Sequence, residues 1–201
     1  MASAIGARPG YVFPVPVWLS EQEYATLRAA CRQMLPSDQG VPGADEAGVA
    51  DYIDGFLGAF FFDPPRIWAG GPTSGRHGGE AAFARFHRLS PLDELAWRMR
   101  LEGSQGMAER EFNGPVLGLQ QRYREGLAAL GDDFTEVESK EQRRRLRADD
   151  AFCELLWEHC CEGMYGAPEY GGNRDGVGWA AIGYEGDVQP RGYSDTEVSE
   201  P

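Results

Sequence analysis

Asp150-Ala151-Phe152-Cys153-Glu154-Leu155-Leu156-Trp157-Glu158-His159-Cys160-Cys161-Glu162-Gly163-Met164 runs directly into Tyr165-Gly166-Ala167-Pro168-Glu169-Tyr170-Gly171-Gly172-Asn173-Arg174-Asp175-Gly176-Val177-Gly178-Trp179. In the first half Phe152, Leu155, Leu156 and Cys160 recur at helical spacing, which predicts a helix with one buried face. The second half is too aromatic for an ordinary surface loop. Gly171, Gly172, Gly176 and Gly178 let the backbone turn tightly and admit another surface closely. Tyr165, Tyr170 and Trp179 supply rigid contact area around the polar centre Asn173, Arg174 and Asp175. The block reads as a capping turn on its own helix, as a partner contact, or as both.

Upstream the same helical period repeats. Ser20 and Glu23 form a capping box behind Leu19, and Tyr24, Leu27, Cys31 and Met34 share one face until Leu35-Pro36 stops the helix. A second helix follows Gly43, with Val49, Ile53, Phe56, Leu57 and Phe60 as its stripe. Its Gly48, Gly55 and Gly58 each cost roughly 1 kcal/mol against alanine in a helix, which predicts close packing on a neighbouring backbone. A short helix is expected around Phe83 and Phe86. Ser90-Pro91-Leu92-Asp93 then starts another, with Leu92, Leu95, Ala96 and Met99 as its buried side. Pro115 to Leu130 reads as a helix carrying Val116, Leu119, Tyr123, Leu127 and Leu130, closed by Gly131. A small helix spans about Ser139 to Arg147. No stretch alternates with period two, so no sheet is expected. The fold class is therefore all-α: an irregular, orthogonal bundle of five to seven helices with long Gly/Pro-rich loops and extended termini.

The organisation expected is an extended arm over residues 1–18, a helical domain over 19–186 and a flexible tail over 187–201. Pro9, Pro14 and Pro16 forbid a helix in the arm, which carries Tyr11, Val12, Phe13 and Trp18. The 27 glycines and 13 prolines in 201 residues imply irregular segments that need a partner or a function to order them. Phe60-Phe61-Phe62-Asp63-Pro64-Pro65-Arg66-Ile67-Trp68 opens the most aromatic of these.

A net charge of −13 argues against nucleic acid as a partner. The N-terminus lacks an apolar core of about 7–15 residues and a twin arginine, so a cytoplasmic location is expected unless a signal-bearing partner co-exports the chain to the periplasm. No run of about 18 apolar residues occurs, so no membrane insertion is expected. Cys31, Cys153, Cys160 and Cys161 are too few for a disulfide framework. His159-Cys160-Cys161 with Cys153 makes a poor metal set, because adjacent residues of a helix point about 100° apart. Buried thiols are the plain reading and a disulfide to a partner the alternative. Gly176 to Ala181 spells a G-x-G-x-x-A pattern but lacks the strand before it and the acid about 20 residues on. His77 and His87 are isolated, and Arg143-Arg144-Arg145 is flanked by acids as a solvated helix face is.

Three blocks together resemble the gluconate 2-dehydrogenase subunit 3 family. They are Leu19 to Pro36 continuing through Gly43 to Asp54, Tyr123 to Leu130, and Phe152 to Gly163 with Pro168 to Trp179 and Ile182-Gly183-Tyr184. The resemblance implies a noncatalytic small subunit that binds, stabilises and in some members co-exports a larger FAD-dependent oxidoreductase of the glucose–methanol–choline type, acting on a sugar, polyol or glycoside. FAD is then expected on that partner and no cofactor, metal or catalytic group on this chain. Many members carry a twin-arginine signal, from which this sequence departs. Segment 61–114 is longer than the family pattern, and no role transfers to it. The residues expected to meet the partner are Trp18, Phe61, Phe62, Trp68, Tyr165, Tyr170, Asn173, Arg174, Trp179 and Tyr184. The competing readings are a small helical enzyme using Glu169, Tyr170 and Arg174, or a redox carrier, which requires a chromophore.

Overall fold

The capping box at Ser20 does what its residue types dictate. Ser20 Oγ accepts from the Glu23 N–H, the Glu23 carboxylate accepts from the Ser20 N–H at 2.8 Å, and helix α1 runs Glu21–Met34. The computed structural model describes residues 16–69 and 86–184. Most of the expected N-terminal arm, Phe83, His77, the glycine-rich continuation to Gly79 and the tail over 187–201 lie outside those residues.

Eight α-helices and no strand occur among the described residues. After α1 come α2 (Ala44–Ala47), α3 (Val49–Leu57), α4 (Pro91–Leu101), α5 (Leu119–Leu130), α6 (Ser139–Leu146), α7 (Asp150–Tyr165) and α8 (Val177–Ala181). The bundle is all-α and irregular, as its periodicities require. The long α7 is central and packs along α3, α1 and α5. Leu27, Cys31, Ile53, Tyr123, Phe134, Leu156 and Cys160 fill the interior between them. Gly131, at φ +92°, ends α5 as expected.

Several expectations need correcting. The second helix is two helices, because Gly48 adopts φ +68° and closes α2 before α3 begins. None of the three glycines read as packing on a neighbouring backbone does so: Gly48 faces the Arg174 guanidinium, Gly58 the Val17 and Trp18 side chains, and a Cβ placed on Gly55 meets none of the described residues within 4 Å. Phe86 to Leu89 are not helical. Helix α4 starts on its expected cap, with Ser90 Oγ accepting from Asp93 N at 3.2 Å, yet Leu92 is 75% exposed and Leu95 and Ala96 are also exposed. The face that packs is the adjacent one. Trp97 meets the edge of Phe56, Arg98 lies 4.0 Å over the Phe60 ring, and Leu101 is buried. Val116 is not in α5 either. Its N–H and carbonyl pair with Ser104, holding residues 116–117 antiparallel against 103–104, and α5 starts at Leu119.

Two polar features of the core escaped periodicity altogether. The fully buried Asp54 carboxylate on α3 accepts the N–H groups of Val17, Trp18 (3.0 Å) and Leu19 (2.8 Å), which pins the chain ahead of α1 onto α3. On α7, buried His159 shares a 2.8 Å hydrogen bond between its Nδ1 and the Tyr123 hydroxyl and stacks on that ring, with Phe56 edge-on. Burial lowers the His159 pKa below its ordinary value; Glu162 and Glu158 oppose the shift, while Arg100 and Arg122 add to it. The unfolded chain therefore takes up a proton, as pH falls through about 6.5, that the folded chain resists. Stability from this site is complete above that pH and declines below it. Thermal midpoints measured from about pH 8 to pH 5 should fall more steeply for the native chain than for His159→Gln; parallel curves would contradict the assignment.

Candidate functional site

The glycine block closes on the end of α7 through backbone approach. Gly172 lies so near Gly163 that a Cβ would come within 2.2 Å of its carbonyl oxygen, and one on Gly178 would come within 1.9 Å of the Met164 oxygen. Asn173, at φ +42° and fully buried, completes the lock: its Nδ2 donates to Gly166 O at 2.9 Å and its Oδ1 accepts from Gly178 N at 2.9 Å. Trp179 Nε1 donates to Tyr165 O at 2.7 Å, and Tyr184 packs edge-on against Trp179 at 5.2 Å. Arg174 reaches back over Gly48 to pair with Asp51, which also accepts from the Tyr24 hydroxyl. Burial, more than that hydrogen bond, pushes the Tyr24 hydroxyl well above the ordinary tyrosine range. The capping role of the block is thus fully built within the chain.

Its outer residues border a cavity. The Tyr170 hydroxyl accepts from Ala69 N at 3.0 Å, so the Phe60–Trp68 loop and the glycine block, separate in sequence, meet here. Between them, α3 and α4 lies a cavity of about 300 Å³. Tyr52, Phe56, Trp97 and Tyr170 form aromatic walls, Ile67 and Ala167 add apolar surface, and Arg66, Arg100 and Glu162 bring charge. Glu162 accepts from the Tyr52 hydroxyl at 2.7 Å, and burial followed by the Glu162 charge raises the Tyr52 pKa strongly. Glu169 and Arg174 do not line this cavity, so the trio Glu169, Tyr170 and Arg174 is not assembled in one pocket.

Other residues expected at a partner surface fall into two groups. Phe61 is 66% exposed, Trp68 is 51% exposed beside His87, and Tyr165 and Tyr184 are exposed. Trp18 lies half-buried under the Arg124 guanidinium at 4.4 Å, and Phe62 lies half-buried under Arg66 at 3.9 Å. Asn173 is buried and Arg174 is held by Asp51. Further exposed apolar residues that the sequence does not reveal are Leu92 and Leu95 on α4, and Phe112, Val116 and Leu117 in the segment before α5. The α4 stripe carries the signal, but period alone does not say which neighbour covers a face.

Among the described residues no group of three or more His, Cys, Asp or Glu side chains is placed to hold a metal ion. All four cysteines are free thiols. A hydrogen bond with Cys160 and burial push the Cys31 thiol up, and burial does the same at Cys153 and Cys161, so none of these three is primed as a nucleophile. Arg144 and Arg145 pair with Glu141, and Arg145 also with Asp133, as a solvated helix face requires. No described helix is long and apolar enough to cross a membrane.

Residues 21–186 match the family described as gluconate 2-dehydrogenase subunit 3. The chain belongs to that family. The match takes in α1 through α8, the cavity and the glycine block, and it bridges segment 61–114 as well. Comparison with curated proteins and with solved structures finds no match. The name of the gluconate 2-dehydrogenase subunit 3 family refers to one component of a dehydrogenase complex.

Proposed function

We propose that this chain is a noncatalytic accessory subunit that binds and stabilises a larger FAD-dependent dehydrogenase of the glucose–methanol–choline type, acting on a sugar, polyol or glycoside. One observation carries the reading beyond family membership: large apolar side chains stand exposed on α4 and in the segments that connect the helices. Phe61, Trp68, Leu92, Leu117 and Ile182 are each more than half exposed, and Phe112 is 93% exposed. A solitary subunit gains nothing from such residues, whereas an interface draws most of its free energy from a few of them. Binding only the folded, flavin-loaded partner would stabilise that state by mass action. The subunit resides wherever that partner is directed, in the cytoplasm or, by co-export, in the periplasm.

The test is direct. The purified chain, given sugars and polyols with an artificial electron acceptor, should show no turnover, and mixed with its flavoprotein it should co-elute as a stable complex carrying the activity. Turnover by the chain alone, or separate elution at micromolar concentration, contradicts the proposal.

A further inference from the structure

Gly55 sits inside α3, where a glycine costs roughly 1 kcal/mol against alanine. Ordinary reasons for keeping one are missing. Its φ is not positive, and although the residue is buried, a Cβ built on it meets no atom of the described residues within 4 Å beyond its own helix backbone. What the absent side chain does is leave the aromatic cavity open. The charge at its rim points the same way. Arg100 is exposed, lies 5.1 Å from the Trp97 ring and 6.0 Å from that of Phe56, and makes no ion pair among the described residues. It does so on a chain of net charge −13, where carboxylates outnumber cations. Glu162, the acid at the cavity, is engaged by the Tyr52 hydroxyl.

We infer that this cavity is the anchor socket for the catalytic subunit, receiving one aromatic side chain from it with a neighbouring carboxylate set against Arg100. This rests on the accessory-subunit reading and deepens it by locating the contact. The volume, about 300 Å³, suits a single large side chain. Offset and edge-on aromatic packing against Phe56 and Trp97, with a guanidinium at the mouth, is the composition of interface hot spots.

Gly55→Leu tests it, because the substitution fills the socket from within while improving helix propensity. The variant should melt at or above the native temperature, yet bind the flavoprotein at least about 10-fold more weakly, the loss typical of a blocked anchor. Arg100→Glu, at an exposed position, should weaken binding comparably with no change in melting. Native affinity in a folded Gly55→Leu chain overturns the inference, and should that variant fail to fold, native affinity in Arg100→Glu overturns it instead. Two other occupants have their own signatures: a Gly55→Leu change in self-association alone assigns the socket to a second copy, and blocked binding of indole-3-acetate with partner affinity intact assigns it to a free aromatic acid. Either result also overturns the inference. If the native chain binds no flavoprotein at all, the accessory reading itself fails, a result distinct from all of these.

Discussion

Asp54→Ala is expected to lower the thermal midpoint by on the order of 10 °C and to detach the chain preceding α1 from α3. The carboxylate is fully buried and accepts three consecutive backbone N–H groups, those of Val17, Trp18 and Leu19. Each such donor left without a partner costs roughly 1–3 kcal/mol, and with two of the three only partly buried the sum is roughly 4 kcal/mol. For a chain of this size a kilocalorie moves the midpoint by about 2–4 °C. Asp54→Asn keeps one acceptor oxygen and should lose about half as much. Trp18, half-buried beneath Arg124, reports the detachment through a red-shifted fluorescence maximum. A midpoint within about 2 °C of native for Asp54→Ala, less than 1 kcal/mol, would show that the clamp contributes little.

The second large effect belongs to Asn173. Asn173→Ala strips the Gly166 carbonyl and the Gly178 N–H of their partners and leaves a Cβ-bearing residue at φ +42° without the local hydrogen bonds that let asparagine tolerate it. Two unsatisfied groups and the left-handed backbone together come to roughly 3–5 kcal/mol. Gly178→Ala acts on the same lock by another route, since its methyl would overlap the Met164 oxygen, and backbone cannot swing aside as a side chain can. Amide exchange would separate local from global damage. Residues 171–181 should lose protection in both variants while α1 and α5 keep theirs, and native protection of the block in either variant contradicts this account.

These two sites mark the limit of what the sequence makes legible. Helix identity came through wherever the cue was local: the Ser20–Glu23 box, Ser90-Pro91 and Gly131 all behave as their chemistry demands. The glycine block was visible as a tight turn, and Asn173 stood out within it, yet burial of its side chain depends on how α8 folds back onto α7. Asp54 carried no signal at all, because an acid on a helix normally faces water and only a strand of chain 35 residues earlier in sequence supplies its donors. Helix α4 failed in a third way. Its apolar stripe of Leu92, Leu95, Ala96 and Met99 is not the buried side, because the bundle takes Trp97 and Leu101 toward the core and leaves Leu92 and Leu95 outside. A stripe fixes a direction of greasiness, and only the neighbouring element decides whether it is covered. The cavity combines both lessons. The Phe60–Trp68 loop and Tyr170 were each picked out by composition, but their meeting through Ala69 is a tertiary fact.

Dependence of the catalytic subunit on this chain is the central claim. Its most direct measurement is the yield of soluble, flavin-containing catalytic subunit when that subunit is expressed with this chain and without it, read by flavin absorbance per unit protein. Severalfold more flavin-loaded enzyme in the presence of the chain is the predicted result, and equal yields under both conditions would contradict it.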